Sequence, residues 1–171
     1  MPAALNAIVG GWTITGVNVM TSGQPINLRY TTLPSEAFRV TADLAAFQGG
    51  VSLRPDMIGD PVTPRDGRTI DNYLDRNTVL VPPLASNRPF GTAGRNTARS
   101  NAFFQLDMGL HKSFPLPITE DTRVEFRTEF FNLLNKTNFR AADGNRSSAS
   151  FGRITSAFPA RQIQFALKLY F

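Results

Sequence analysis

The last eleven residues, RQIQFALKLYF at 161–171, constrain this chain more than any other stretch. Ile163, Phe165, Leu167, Leu169 and Phe171 fall on one side of a strand, and Gln162, Gln164, Lys168 and Tyr170 on the other. Five alternate apolar residues suit the roughly 9–11 residues of a strand that crosses a bilayer with lipid on one face and water on the other. A terminal strand of a soluble sandwich is the competing reading. Whether other segments repeat the pattern decides between them.

The second half of the chain does repeat it. In residues 101–114, NAFFQLDMGLHKSF, Phe104, Leu106, Met108 and Leu110 alternate with Gln105, Asp107, Gly109 and His111. A short turn at 115–121, PLPITED, reverses the chain, since prolines end strands and Asp favours turns. Residues 123–131, RVEFRTEFF, then set Val124, Phe126, Thr128 and Phe130 against Arg123, Glu125, Arg127 and Glu129. Mixed three and four spacings in the same stretch also suit a helix, but the strict alternation of charges fits a strand better.

The first half is of two materials. Residues 9–30 are rich in β-branched side chains and free of charge until Arg29, which predicts one long strand, interrupted or not. Trp12 and Ile14 share a face while Val17 and Val19 lie on the other, so either a bulge near Gly16 or a two-sided strand is expected, with an edge, bulge or turn at Pro25. Residues 31 to about 100 carry most of the prolines and many Arg and Asp, with no sustained period of two. They are read as a long excursion, inside which 68–77, RTIDNYLDRN, is the place for a short helix presenting Ile70, Tyr73 and Leu74. A second loop is expected over about 134–160. Structureless excursions of this length are unusual inside compact soluble domains and ordinary on the outer side of membrane barrels.

The fold class that follows is all-β: antiparallel transmembrane strands over about 9–30, 102–114, 123–133 and 161–171 of an outer-membrane barrel, with long extracellular loops and a place for one short helix. The composition agrees. At 42% hydrophobic residues no run of about 18 apolar residues exists to make a membrane helix, whereas a barrel needs only alternate ones. A net charge of +5 raises nucleic acid or anionic lipid as partners, but the arginines are scattered through loops, and nucleic acid is not expected.

Little in the chain points to chemistry. His111 and Asp107 are about 13 Å apart along one strand, too far to share a metal. Glu125 and Glu129, interleaved with Arg123 and Arg127, are best read as an ion-pair ladder on a water-facing wall to which Asp107 and Lys168 also belong. Pairing through the short turn is expected to set Asp107 opposite or diagonal to Arg127, or against Glu129 if the register slips by two. No nucleophile with a base, thiolate cluster or phosphate loop is found, so neither catalysis nor a cofactor is expected. Six arginines of the excursion, Arg54, Arg65, Arg68, Arg88, Arg95 and Arg99, invite an anionic ligand or lipopolysaccharide phosphates, and solvated loop charges are the favoured alternative. Arg95, between Gly91, Gly94 and Asn96, is read as a tie that scaffolds its loop.

Taken in order, GGWTITGV with TSGQP, RPDMIGDP, RTIDNYLD, FGTAGRNTARS, FFQLDMGLHKSF, RVEFRTEFFNLLNKTNF, FGRITSA and PARQIQFALKLYF resemble the carboxy-terminal end of TonB-dependent receptors, most of all the Oar-like group whose amino-terminal region carries a carboxypeptidase-regulatory-like domain. The resemblance spans nearly the whole chain. It implies a barrel in outer-membrane lipid, a plug in its lumen, and nutrient uptake driven by an inner-membrane energy-transducing complex. It also implies that Phe165, Leu167, Leu169 and Phe171 form the terminal signal for the barrel-assembly machinery. Plug, TonB-contacting segment and export signal are not found in these residues, and about four spanning strands fall short of the eight or so that close a barrel. The chain is therefore expected to be part of a longer receptor whose remaining strands and plug complete it, with the TonB complex reached only through that plug. A soluble β-rich binding module, and a structural or adhesive barrel piece that transports nothing, stay open as alternatives.

Overall fold

The computed structural model of the chain describes residues 8–32, 51–83, 90–118 and 121–171. They form ten strands: β1 (Trp12–Thr21), β2 (Pro25–Ile26), β3 (Tyr30–Thr32), β4 (Val51–Leu53), β5 (Asp56–Met57), β6 (Val79–Leu80), β7 (Ala98–Arg99), β8 (Phe103–Pro115), β9 (Arg123–Phe131) and β10 (Gln162–Tyr170). The chain divides into two compact units. One holds residues 1–21, 103–138 and 158–171, the other 22–102 and 139–157.

The first unit is a four-stranded antiparallel sheet in the order β1-β8-β9-β10. Its three long segments of alternation lie where the residues predict them, at β8, β9 and β10. The register of β1 on β8 runs unbroken from Trp12↔Lys112 to Thr21↔Phe103, so there is no bulge at Gly16 and the strand is two-sided. A single strand over 9–30 is not formed. The long strand ends at Thr21, Gly23 approaches the Ser100 carbonyl too closely for any side chain, and β2 begins at Pro25 in a separate pairing with β7. Where β9 stops short of the end of β8, Asn138 takes over as partner. Its amide donates to the Phe104 carbonyl at 2.8 Å and accepts from the Phe104 N–H at 3.0 Å.

The second unit has a core of its own. Ile26, Leu28, Tyr73, Leu74, Val79, Ala98, Ala142 and Phe151 are buried together, with Met57, Val62 and Ile154 against them. The excursion is therefore not structureless, and the expected helix at 68–77 is absent. That stretch is turns and an isolated bridge from Val62 to Leu74. The Tyr73 and Leu74 amides donate instead to the carbonyl of Gly152 in the later connection, and the Ile154 amide donates to Ile70. Gly152 has φ 80, and a Cβ there would collide with the Leu74 carbonyl, so only glycine fits. Of the apolar residues that suggested one face of a helix, Tyr73 and Leu74 are buried in a core with a segment far away in sequence while Ile70 stays exposed, and tertiary pairing wins over local period.

Asp143 pins the turn that carries this segment. Its carboxylate accepts from the Asn145 N–H at 2.9 Å and the Ser150 hydroxyl at 2.7 Å. Burial raises its pKa, but those donors, the Ser148 hydroxyl and the Arg29 charge outweigh burial and hold it below the usual carboxylate range. A carboxylate lowered by folding stabilises the fold above its unfolded pKa, and that contribution disappears as pH falls through the folded value. Asp143→Asn is therefore expected to weaken amide-exchange protection at Asn145 by about 1 kcal/mol at pH 7, and the gap from the parent should close as pH falls below the carboxylate range. Asn138→Ala, which strands the Phe104 N–H and carbonyl, should lower unfolding stability by about 1–3 kcal/mol. A denaturant titration that shows no change would mean that water replaces the amide.

Candidate functional site

Register carries the alternation of each strand across the whole sheet. Trp12, Lys112, Phe126 and Leu167 stand in one row; Ile14, Leu110, Thr128 and Phe165 in the next; Gly16, Met108, Phe130 and Ile163 in a third. Phe114, Val124 and Leu169 form a fourth, nearer the short turn. One face is thus apolar over four strands, with Phe165 and Leu167 each 71% exposed and Phe171 98% exposed. Soluble monomers rarely expose a contiguous apolar patch above a few hundred Å². At ~25 cal/mol per Å², each large side chain left in water forgoes about 1.5–3 kcal/mol. Ten or so of them are tolerable only if that face meets something apolar. Phe165, Leu167 and Leu169 all lie on it, and Phe171 continues their alternation.

The other face holds the charged residues. Arg123, Glu125, Arg127 and Glu129 point there from β9, Asp107 and His111 from β8, and Lys168 and Tyr170 from β10. Glu125 accepts from the Arg127 guanidinium and from the Tyr170 hydroxyl at 2.8 Å, and stands opposite Lys168. The Arg123 guanidinium lies 4.2 Å from the centre of the Tyr170 ring. The wall is therefore knit around Glu125, whereas Glu129 has no ion pair among the described residues and stands opposite Gly109 and Gln164. Asp107 does not meet Arg127. Arg127 is opposite His111, and Asp107, one step beyond the Met108↔Phe130 pair, accepts from the Asn132 N–H at 2.8 Å and from the Gln105 amide. The turn is longer than pairing Asp107 with Arg127 requires, since Pro115 pairs with Arg123, and Asp107 serves the end of β9.

Gly109 floors a recess of about 360 Å³ on this sheet, lined among others by Thr15, Asp107, His111 and Glu129. A Cβ on Gly109 would lie 2.6 Å from the Thr15 hydroxyl and 2.8 Å from His111 Nε2. The lining is mostly apolar, with Val17, Phe130 and Phe131 beside these polar groups, and no group of three metal-ligating side chains occurs among the described residues. Its groups can hydrogen-bond a passing solute.

Two features escaped the sequence reading. Lys112 lies on the apolar face, only 5% exposed, with its ammonium donating to the Ile8 and Gly10 carbonyls at 2.9 and 2.7 Å. The rings of Trp12 and Phe114 are 5.2 and 5.1 Å from it. The signal was there: the alternation of β8 breaks at residue 112, close to the short turn, where a long cation reaches polar atoms while its stem stays in the apolar layer. The other is a clamp after β9. The Asn132 side chain accepts from the Lys136 N–H and donates to its carbonyl, both at 3.0 Å. Arg95 is a correction of a different kind, since no hydrogen bond or ion pair holds its guanidinium among the described residues. The tie in that loop is from the Asn96 N–H to Asn27 Oδ1, at 3.0 Å.

A lipid-compatible face, a charged face, a tight turn at one end of the sheet and long connections at the other are the properties of a membrane barrel wall. No curated protein and no solved structure matches the chain. Residues 2–164 match the family model described as an outer membrane beta barrel domain, which covers nearly all of the sequence. The chain belongs to the outer membrane beta barrel domain family.

Proposed function

We propose that this chain supplies the carboxy-terminal strands of a TonB-dependent-receptor-like barrel of the Oar-like group, which takes up a nutrient across the outer membrane by energised transport. The observation that carries the reading is the two-faced sheet β1-β8-β9-β10, with an outward apolar side and an inward wall centred on Glu125. The order of sequence motifs along the chain supports the finer assignment. On this reading the open edges of β1 and β10 are met by the receptor's remaining strands. A plug occupies the lumen against Arg123, Arg127 and Lys168, and the TonB complex acts through that plug alone. Phe171 and the stripe before it engage the barrel-assembly machinery. The reading assigns the chain neither catalysis nor a cofactor.

Translation of the genomic DNA upstream of Met1 tests the assignment directly. A continuous frame encoding further alternating strands, a plug and an export signal is the expected result. A stop codon with a promoter directly before Met1 would instead favour a barrel piece that transports nothing. The orientation of the sheet has its own test in β10. Phe165→Arg should destabilise the membrane-inserted protein by about 2–4 kcal/mol, as a cation on the lipid face near mid-bilayer does. Gln164→Arg, one residue away on the wet face, should stay within about 1 kcal/mol of the parent. Equal effects in a urea titration in lipid vesicles would sink the assignment of faces.

A further inference from the structure

The second unit contains a recess of about 490 Å³ whose lining includes Arg29, Arg54, Arg95, Asn27, Ser52 and Asn96, and no carboxylate. These three arginines differ from five others of the unit. Arg68 donates to the Thr63 carbonyl, Arg76 to Ser148, Arg99 to Gly23 and Arg146 to Val79, while Arg153 pairs with Asp71. Those five guanidiniums are used up as struts. Among the described residues no hydrogen bond or ion pair holds the guanidinium of Arg54 or Arg95, and Arg29 has only the electrostatic influence of Asp143.

Their backbones, in contrast, are fixed. The Arg29 N–H donates to the Gly144 carbonyl and its own carbonyl accepts from Arg146. Arg54 follows β4, which pairs with β3 through Tyr30↔Leu53, and its carbonyl accepts from Gly91. Arg95 precedes Asn96, which is held to Asn27 at φ 56. Three arginines from three separate segments thus line one recess on fixed backbones, with no carboxylate in its lining. An anion with several acceptor oxygens can accept the fork of donors that each guanidinium offers. The side-chain amides and the Ser52 hydroxyl add neutral hydrogen-bonding capacity.

We propose that this recess is a binding site for a phosphoryl-bearing anion, either a free phosphorylated solute or the phosphates of a lipid headgroup. The site does not depend on the barrel's being a transporter. It predicts saturable binding of inorganic pyrophosphate to the intact protein extracted from outer membranes in neutral detergent, weakening as salt rises. The Arg54→Gln, Arg95→Gln double variant should lose about tenfold or more in affinity by titration calorimetry, since charge-assisted hydrogen bonds are the strong ones. Arg54→Lys, Arg95→Lys should recover part of it, which excludes simple misfolding as the cause of the loss. Arg65→Gln, an exposed loop arginine outside the recess, should change it less than about twofold. Absence of saturable binding, or equal losses from Arg65→Gln and the double variant, would overturn the site. Competition separates the two sources: displacement of pyrophosphate by lipopolysaccharide but not by its dephosphorylated form identifies a headgroup, and displacement only by soluble sugar phosphates identifies a solute. Either result upholds the recess.

Discussion

Main-chain hydrogen bonding in a medium without water is the constraint on which this sheet depends. β8 and β9 are paired on both sides, whereas β1 pairs only with β8 and β10 only with β9 among the described strands. An open edge of nine or ten residues leaves on the order of five N–H and five C=O groups unpaired, because neighbouring residues point their polar groups to opposite sides. Each costs several kcal/mol in hydrocarbon. The sum for either edge exceeds the 5–15 kcal/mol by which an ordinary domain is stable. Further strands on both sides are what a sheet with this apolar face requires.

Register follows from the same constraint. A slip of one residue would turn β9 over and carry Arg123, Glu125, Arg127 and Glu129 to the face that now holds Phe126 and Phe130. A charged side chain at mid-bilayer costs about 2–4 kcal/mol when it is cationic and less when acidic, so the four together would cost on the order of 10 kcal/mol. No turn energy of the 115–123 connection competes with that. Lys112 is the exception, and its place explains why. It sits in the row nearest but one to the short turn, and its ammonium finds two carbonyls and two aromatic rings without leaving the apolar side.

The two-sided strands were legible because period two survives in any register. Ile163 to Phe171 and Val124 to Phe130 needed only their own sequence to be placed on a face, and the charged wall of Arg123, Glu125, Arg127, Glu129 and Lys168 came with them. What could not be read locally is what depends on distant partners. The pairing of β8 with β9 turned on a shift of a few residues in a Pro-rich turn, so His111 and not Asp107 meets Arg127. Tyr73 and Leu74 suggested a helix until Gly152, some eighty residues on, supplied the acceptor for both amides. Arg95 invited a structural role by its glycines, whereas Asn96 at positive φ fills that role and leaves Arg95 to solvent.

The motifs that carry the family resemblance outside the strands now have physical content, and it is shared between two connections. RTIDNYLD and FGRITSA meet through Ile70 with Ile154, Asp71 with Arg153, and Tyr73 and Leu74 with Gly152. Because β1 and β8 are joined by one of these segments and β9 and β10 by the other, the second unit can fold only when both connections are present. A loop of eighty residues left open would cost little more in closure entropy than one of forty, since the cost grows only with the logarithm of length. Economy of length does not explain a buried core there. Positional precision does: Arg29 comes from the first connection, yet its backbone is held by Gly144 and Arg146 of the second. The recess is lined by the first connection alone, and the second braces the backbone of one of its three arginines.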